Sequence, residues 1–359
     1  MKFTQAAITF TIFNCVSAWS PLQKNQISNL RLNLSVEEIG NNVVLAPSND
    51  EDAFDSLKIG SPRVHRYSRE SGEGSEYVMW YHGRNNELNA KGDTPPLSTG
   101  RIGKAVSRNG LHWEKDTQGS LSEDKTGVTL GLNKESWWGF DTGHVGLGQV
   151  LLPMSLPSVI SEGGVYIMYF MGGNYEENSV GDYMPGNVDV GDKTVKGMNM
   201  RIGVAMSQDG TTFGRIEGED PTGAIMVPYS KSMGKVMKGK DSIDIDEELY
   251  CAWPDVVPVI GGRDDFLMYY STMLKDTREK VLAYAVSKNG FTFSKRGISL
   301  KPDPDTYDSN GCARCTVVEN QVYNESGRWT KANGYTMFYE GGELIKGFVY
   351  NALKCSSYF

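Results

Sequence analysis

Apolar and polar positions alternate over short runs, and long stretches with a 3.6-residue period are hard to find, so the chain predicts strands rather than helices. Four runs share one pattern: YVMWYHG from Tyr77, YIMYFMG from Tyr166, FLMYYST from Phe266 and YTMFYEG from Tyr335. Each opens on an aromatic residue, keeps a methionine at its third place and follows it with an aromatic pair. These residue types suit a pleated, buried surface.

Two further series repeat with them. RIGKAVSRNGLHW from Arg101, RIGVAMSQDGTTF from Arg201 and VLAYAVSKNGFTF from Val281 each alternate as a strand, through Ile102, Lys104 and Val106 in the first copy. Asn109-Gly110, Asp209-Gly210 and Asn289-Gly290 then supply residues that accept positive φ in a tight turn, and Trp113, Phe213 and Phe293 begin a return strand. The third series aligns without a gap on its last valine: FDSLKIGSPRV (Phe54 to Val64), FDTGHVGLGQV (Phe140 to Val150) and YDSNGCARCTV (Tyr307 to Val317). DEELYCAWPDV (Asp246 to Val256) follows closely, with its acid displaced by one. Asp55, Asp141 and Asp308 thus occupy one structural position. A residue required once per repeat is structural, and an Asp before Ser or Thr can bond backbone N–H groups of a loop.

A multi-stranded unit repeated in this way predicts an all-β fold, a β-propeller of four-stranded antiparallel blades. A sandwich would not repeat its strand sequences, a WD-type propeller would show its Trp-Asp dipeptide, and the sialidase Asp-box has one more residue between acid and glycine. The blades start near Asp55, Asp141, Asp246 and Asp308 in a single domain over residues 51–359. After YTMFYEGGE no copy of the IGxAxSxDG strand follows, so the last blade reads as incomplete.

Composition narrows the function. The 359 residues carry a net charge of -8 with no clustering of Lys and Arg, which argues against a nucleic-acid partner. Residues 1–18 read as a signal peptide and no other segment suits a membrane span. Residues 19–50 read as a presequence or linker; Trp19 directly after the cleavage alanine resembles bipartite plastid presequences of algae, with plain secretion as the alternative. The CxxC of Cys312 and Cys315 lacks a second close pair of ligands and reads as small buried residues. The acidic run Asp241 to Glu248 lacks an ordered calcium-ligand spacing and reads as a solvated loop, leaving no metal or cofactor expected. KSMGKVMKGK before it reads as an inserted basic loop.

The three series together resemble the five-bladed propeller superfamily of glycoside hydrolases that includes arabinanases, xylosidases, levansucrase and invertase. The likeness is greatest to plant and algal members loosely called arabinanase/levansucrase/invertase proteins, and spans roughly residues 50 to 345. It implies a monomer with a saccharide in a central funnel and a carboxylate acid and base. The family's base position falls here on Ser61, Leu147, Trp253 and Arg314, none acidic.

Two carboxylates remain as catalytic candidates. Asp255 is one of the residues directly before the aligned valine, which differ from unit to unit (Arg63, Gln149, Asp255, Thr316); its alternative is an ion pair with a neighbour such as Arg63. Glu340, where the other units have His82, Met171 and Ser271, is the candidate general acid. Arg63, His82, His144, Gln149, Trp253 and Arg314 are candidate saccharide contacts: the arginines for hydroxyls or a carboxylate, Trp253 for stacking. His144 differs from Asp141 in having no equivalent in the sister loops. Two readings stay open, a glycosidase and a propeller that binds a saccharide or protein without hydrolysing it.

Overall fold

The computed structural model describes residues 43–70, 74–85, 99–117, 127–156, 159–184, 191–233, 236–238, 241–243, 245–259, 265–323, 329–345 and 348–358. The signal peptide and residues 19–42 of the presequence segment lie outside them. Among the described residues no helix is long and apolar enough to cross a membrane.

Four largely antiparallel sheets succeed one another along the chain, each with its inner strand first. The first runs Lys58–Arg69, Ser75–Arg84, Arg101–Ser107 and Glu114–Lys115, and is widened to seven strands by Val128–Leu130 against Arg101–Ser107 and by Met154–Leu156 and Val159–Ile160, the last pairing parallel with Lys58–Arg69; the second runs His144–Leu151, Tyr166–Gly173, Arg201–Ser207 and Gly214–Ile216. The third runs Ala252–Pro258, Phe266–Met273, Lys280–Ser287 and Ser294–Leu300; the fourth has three strands, Gly311–Tyr323, Trp329–Ile345 and Phe348–Tyr358. This is the all-β, blade-by-blade architecture that the repeats predict. Phe348–Tyr358 fills the third place of the last sheet without the repeated motif, because ladder pairing asks only for backbone N–H and C=O groups. No fifth sheet of this kind lies among the described residues.

The sheets pack face to face in chain order. Trp80, Val78 and Tyr67 of the first meet Val150 and Phe213 of the second; Tyr169 and Val204 of the second meet Met268 and Val256 of the third; Leu282 of the third meets Val317 and Met337 of the fourth. The aromatic pair of each strand explains part of this order. Its first member donates to the next sheet's turn, Trp80 to the Gly210 carbonyl at 2.9 Å and Tyr169 to the Gly290 carbonyl at 3.0 Å. Those turns are built alike: Gly110, Gly210 and Gly290 take φ of 74°, 68° and 79°, and the hydroxyls of Ser107, Ser207 and Ser287 accept their N–H groups. The last sheet lacks such a turn, and Phe338, fourth in the aromatic series, is 41% exposed.

The second member of the pair closes on the repeated acid. Tyr81 donates to Asp55 at 3.0 Å and Tyr339 to Asp308 at 2.6 Å, with all three acids of the aligned loops buried. In the third sheet the acid is Glu248, which accepts from Tyr270 at 2.7 Å, while Asp246 is exposed. The reading of Asp241 to Glu248 as a solvated loop therefore fails: Asp241–Ile243 pairs as a strand with Val236–Lys238, and Ile245 and Glu248 are buried. Glu248 sits one place nearer the aligned valine, and the longer side chain makes up the difference. A cation two residues after the turn's aromatic joins each of three acids: Lys115 to Asp55 at 2.6 Å, Arg215 to Asp141 at 2.6 Å, and Lys295 to Glu248. The second sheet has Phe170 where the others have tyrosine, and there Asp141 keeps one carboxylate oxygen with no partner.

Candidate functional site

Each inner strand breaks its register at an equivalent place, between Gly60 and Arg63, Leu147 and Gln149, Ala252 and Asp255, and Ala313 and Thr316, and the inner strand of the fourth sheet breaks it again between Glu319 and Gln321. Ser61, Trp253 and Arg314 hold φ of 48°, 48° and 45° in these bulges, a left-handed conformation uncommon outside glycine. In the second strand the bulge carries Gly148, where a Cβ would lie 2.4 Å from Pro254 Cγ. Since the strain recurs in three sheets, it belongs to how inner strands are shaped and marks no single reacting residue.

The bulges turn the next residue of every inner strand towards the other sheets, and the four meet. Arg63 Nη1 lies 2.8 Å from Asp255 Oδ1 and donates to Thr316 Oγ1 at 2.6 Å; Arg63 Nε donates to the Gly148 carbonyl at 2.5 Å. Gln149 Nε2 donates to Asp255 Oδ1 at 3.3 Å, and the Val317 N–H donates to Oδ2 at 2.8 Å. Asp255 is 0% exposed. Burial pushes its carboxyl upward, against the pull of Arg63 and the Val317 N–H. The ion pair with Arg63, open as an alternative in the sequence, is the one present, and it ties the first sheet to the third and fourth. A base must reach a substrate water, and both oxygens of Asp255 are engaged inside the hub.

One rung away lies a less closed group. His82, Met171, Ser271 and Glu340 pair with Gly60, Gly146, Ala252 and Ala313 in their ladders, so they occupy one level of the four sheets. The Arg314 guanidinium stands 4.6 Å over the Trp253 ring, its Nη1 is 3.4 Å from Glu340 Oε1, and its N–H donates to Ser271 Oγ at 2.8 Å. Side chains of Arg314 and Glu340 remain 32% and 24% exposed. We call this group the mouth.

The two histidines belong to it electrostatically. His82 Nε2 accepts from Arg84 Nε at 2.8 Å, which places the ring proton on Nδ1, a buried atom with no partner. His144 Nε2 donates to the Gly197 carbonyl at 2.8 Å. Burial holds both below the ordinary imidazole range, His144 at about 4 and His82 well down; the positive charges of Arg84, Arg314 and Lys58 press His82 further. Both rings are therefore neutral near pH 7. Arg84, two residues beyond His82 in YHGR, was missed in the sequence, where only its nearness to that histidine pointed to it.

The eight candidates thus separate into two groups. Arg63, Gln149 and Asp255 form the hub with Thr316, while Trp253, Arg314, Glu340, His82 and His144 stand around the mouth. The three described cysteines, Cys251, Cys312 and Cys315, are free and buried. Among the described residues no cluster of three His, Cys, Asp or Glu could hold a metal ion.

No family model matches the chain, and no curated protein matches it. Among solved structures, 53 chains match. An N-acetylgalactosamine deacetylase from F. plautii, in complex with blood group B trisaccharide, is 12% identical with a TM-score of 0.47 over 87% of this chain and 76% of that one. The endo-arabinase of Bacteroides thetaiotaomicron is 11% identical with a TM-score of 0.44 over 88% and 80%. The sucrose-6-phosphate hydrolase of Lactobacillus gasseri is 11% identical with a TM-score of 0.41 over 74% and 38%. Likenesses at this level decide neither chemistry nor ligand.

Proposed function

We propose that the protein is a propeller that binds a saccharide at the mouth without hydrolysing it. The observation that carries this reading is the burial of Asp255 in its pair with Arg63. Glycoside hydrolysis needs two carboxylates flanking the bond, one protonated and one ionised, held roughly 5–9.5 Å apart on either side of the sugar. With Asp255 committed to the hub, Glu340 is left as a single candidate acid, and it is itself held by Arg314.

What the mouth does offer suits recognition. Arg314 and Glu340 set a donor beside an acceptor, the complement of neighbouring hydroxyls that each donate and accept. Trp253 carries the Arg314 guanidinium over its ring and so holds that donor in place. The Nδ1–H of His82 is a buried donor lacking an acceptor. Calorimetric titration with arabino-, xylo- and fructo-oligosaccharides tests the reading. Binding is expected for at least one series and should weaken at least tenfold in Trp253→Ala, with the oligosaccharide recovered intact. Release of shorter sugars by the wild type, or no binding by any series, would refute it.

A further inference from the structure

Three cations gather where the first sheet borders the mouth. Lys58 and Arg84 are directly opposite each other in neighbouring strands, on the face that carries His82, and Arg101 pairs with Gly83 in the next strand. Like charges placed opposite each other in a ladder repel. The chain as a whole is acidic, with a net charge of -8, so this grouping does not follow from its composition.

Arg314 adds a fourth cation from the last sheet. Burial is the main cause that keeps His82 and His144 neutral, and positive charges add to it: Arg84, Arg314 and Lys58 at His82, Arg84 and Arg101 at His144. The two rings therefore stand in a positive field. Of the four positions at this level, His82, Met171, Ser271 and Glu340, only the last is acidic, and Arg314 already shares it. None of the four cations is fully buried: Lys58 is exposed and the three arginines are half-buried, so a ligand can reach them. Local rules of charge placement are broken most often at functional sites, where a ligand answers them.

We propose that the mouth selects saccharides that carry an anionic group, a carboxylate or a phosphate. Arg84 and Lys58 hold that group on the first-sheet side, with Arg314 contributing from the fourth sheet, while Glu340 accepts from the sugar's hydroxyls. The planar guanidinium of an arginine matches either anion with two parallel hydrogen bonds. This inference rests on the reading of the mouth as a saccharide site and adds the charge of the ligand to it.

Calorimetric titration with two matched pairs tests it: xylotetraose with and without a glucuronic acid branch, and D-fructose with and without a 6-phosphate. In at least one pair the acidic member should bind about tenfold tighter at about 0.01 M salt, and the gap should nearly close at about 1 M, where the screening length falls to about 3 Å. Which pair shows the gap tells carboxylate from phosphate. Arg84→Gln and Lys58→Gln should each narrow it about threefold or more. Lys58→Gln should also hold or raise Tm, because it ends the opposition of like charges. Equal affinities within both pairs, or a preference indifferent to salt, would overturn the inference while neutral binding kept the saccharide reading intact. A Tm lowered in Lys58→Gln would overturn it too, by showing that the chain itself already answers that charge. Binding by no member of either pair would remove the saccharide reading along with it.

Discussion

The hub and the mouth lie one rung apart on the same four sheets, and both are built from residues that differ between repeats. At the hub the differences cancel: an arginine, a glutamine, an aspartate and a threonine bond one another until Asp255 is wholly enclosed. At the mouth they do not, since His82 keeps an unpartnered N–H, and Arg314 and Glu340 face partly outward. A residue that breaks the repeat is therefore no sign of function by itself. Four inner strands meeting at one place need unlike side chains to satisfy one another, and that is a packing requirement.

Removing one hub partner should give the largest effect. Asp255→Ala leaves Arg63 buried without its counter-charge and should cost about 3–5 kcal/mol in denaturant unfolding. Arg63→Met with Asp255→Leu removes both charges and should regain most of it. A double variant no more stable than the single one would show that the pair is not what joins the sheets.

Acid should act through the histidines next to the mouth and in the first sheet. His65 and His144 are held at about 4 and His82 well below its ordinary 6.5, so between those values the unfolded chain takes up protons that the folded chain refuses. Stability is full above pH 6.5 and falls as pH drops towards 4, by up to about 3 kcal/mol each for His65 and His144, with His82 acting in the same direction. Thermal unfolding across this range should show the slope, and His144→Asn should flatten it. An unaltered slope in that variant would place the acid sensitivity elsewhere.

Smaller effects distinguish the acids. Tyr270→Phe leaves a Glu248 oxygen without its phenol and should cost about 1–3 kcal/mol by unfolding, with saccharide binding at the mouth unaffected. Glu340→Gln, in a partly exposed pair, should cost less than about 1 kcal/mol yet weaken oligosaccharide binding in calorimetry. If Glu340→Gln destabilised more than Tyr270→Phe, the mouth would be as structural as the blade roots.

Much of this organisation is legible in the sequence. The aligned aspartates, the Asn-Gly and Asp-Gly turns and the aromatic pairs all recur because each sheet meets its neighbour in the same way. Glu248 was hidden by a shift of one residue that a longer side chain absorbs, a substitution in space that a gapless alignment cannot show. The pairing of Arg63 with Asp255 stood in the sequence only as an alternative, since it joins residues 192 positions apart by number and depends on four bulges acting together. The significance of Phe170 was missed because a phenylalanine in an aromatic series looks ordinary until the acid beneath it is seen unpaired.

The most direct test of a hub that holds the fold and a mouth that binds without cleaving is a turnover assay. Wild type and the Arg63→Met, Asp255→Leu double variant would be incubated side by side with a panel of nitrophenyl glycosides. The account predicts no nitrophenol release above the enzyme-free rate from either protein. Release by the wild type that disappears in the folded double variant would contradict it, and would return Asp255 to the role of a catalytic carboxylate.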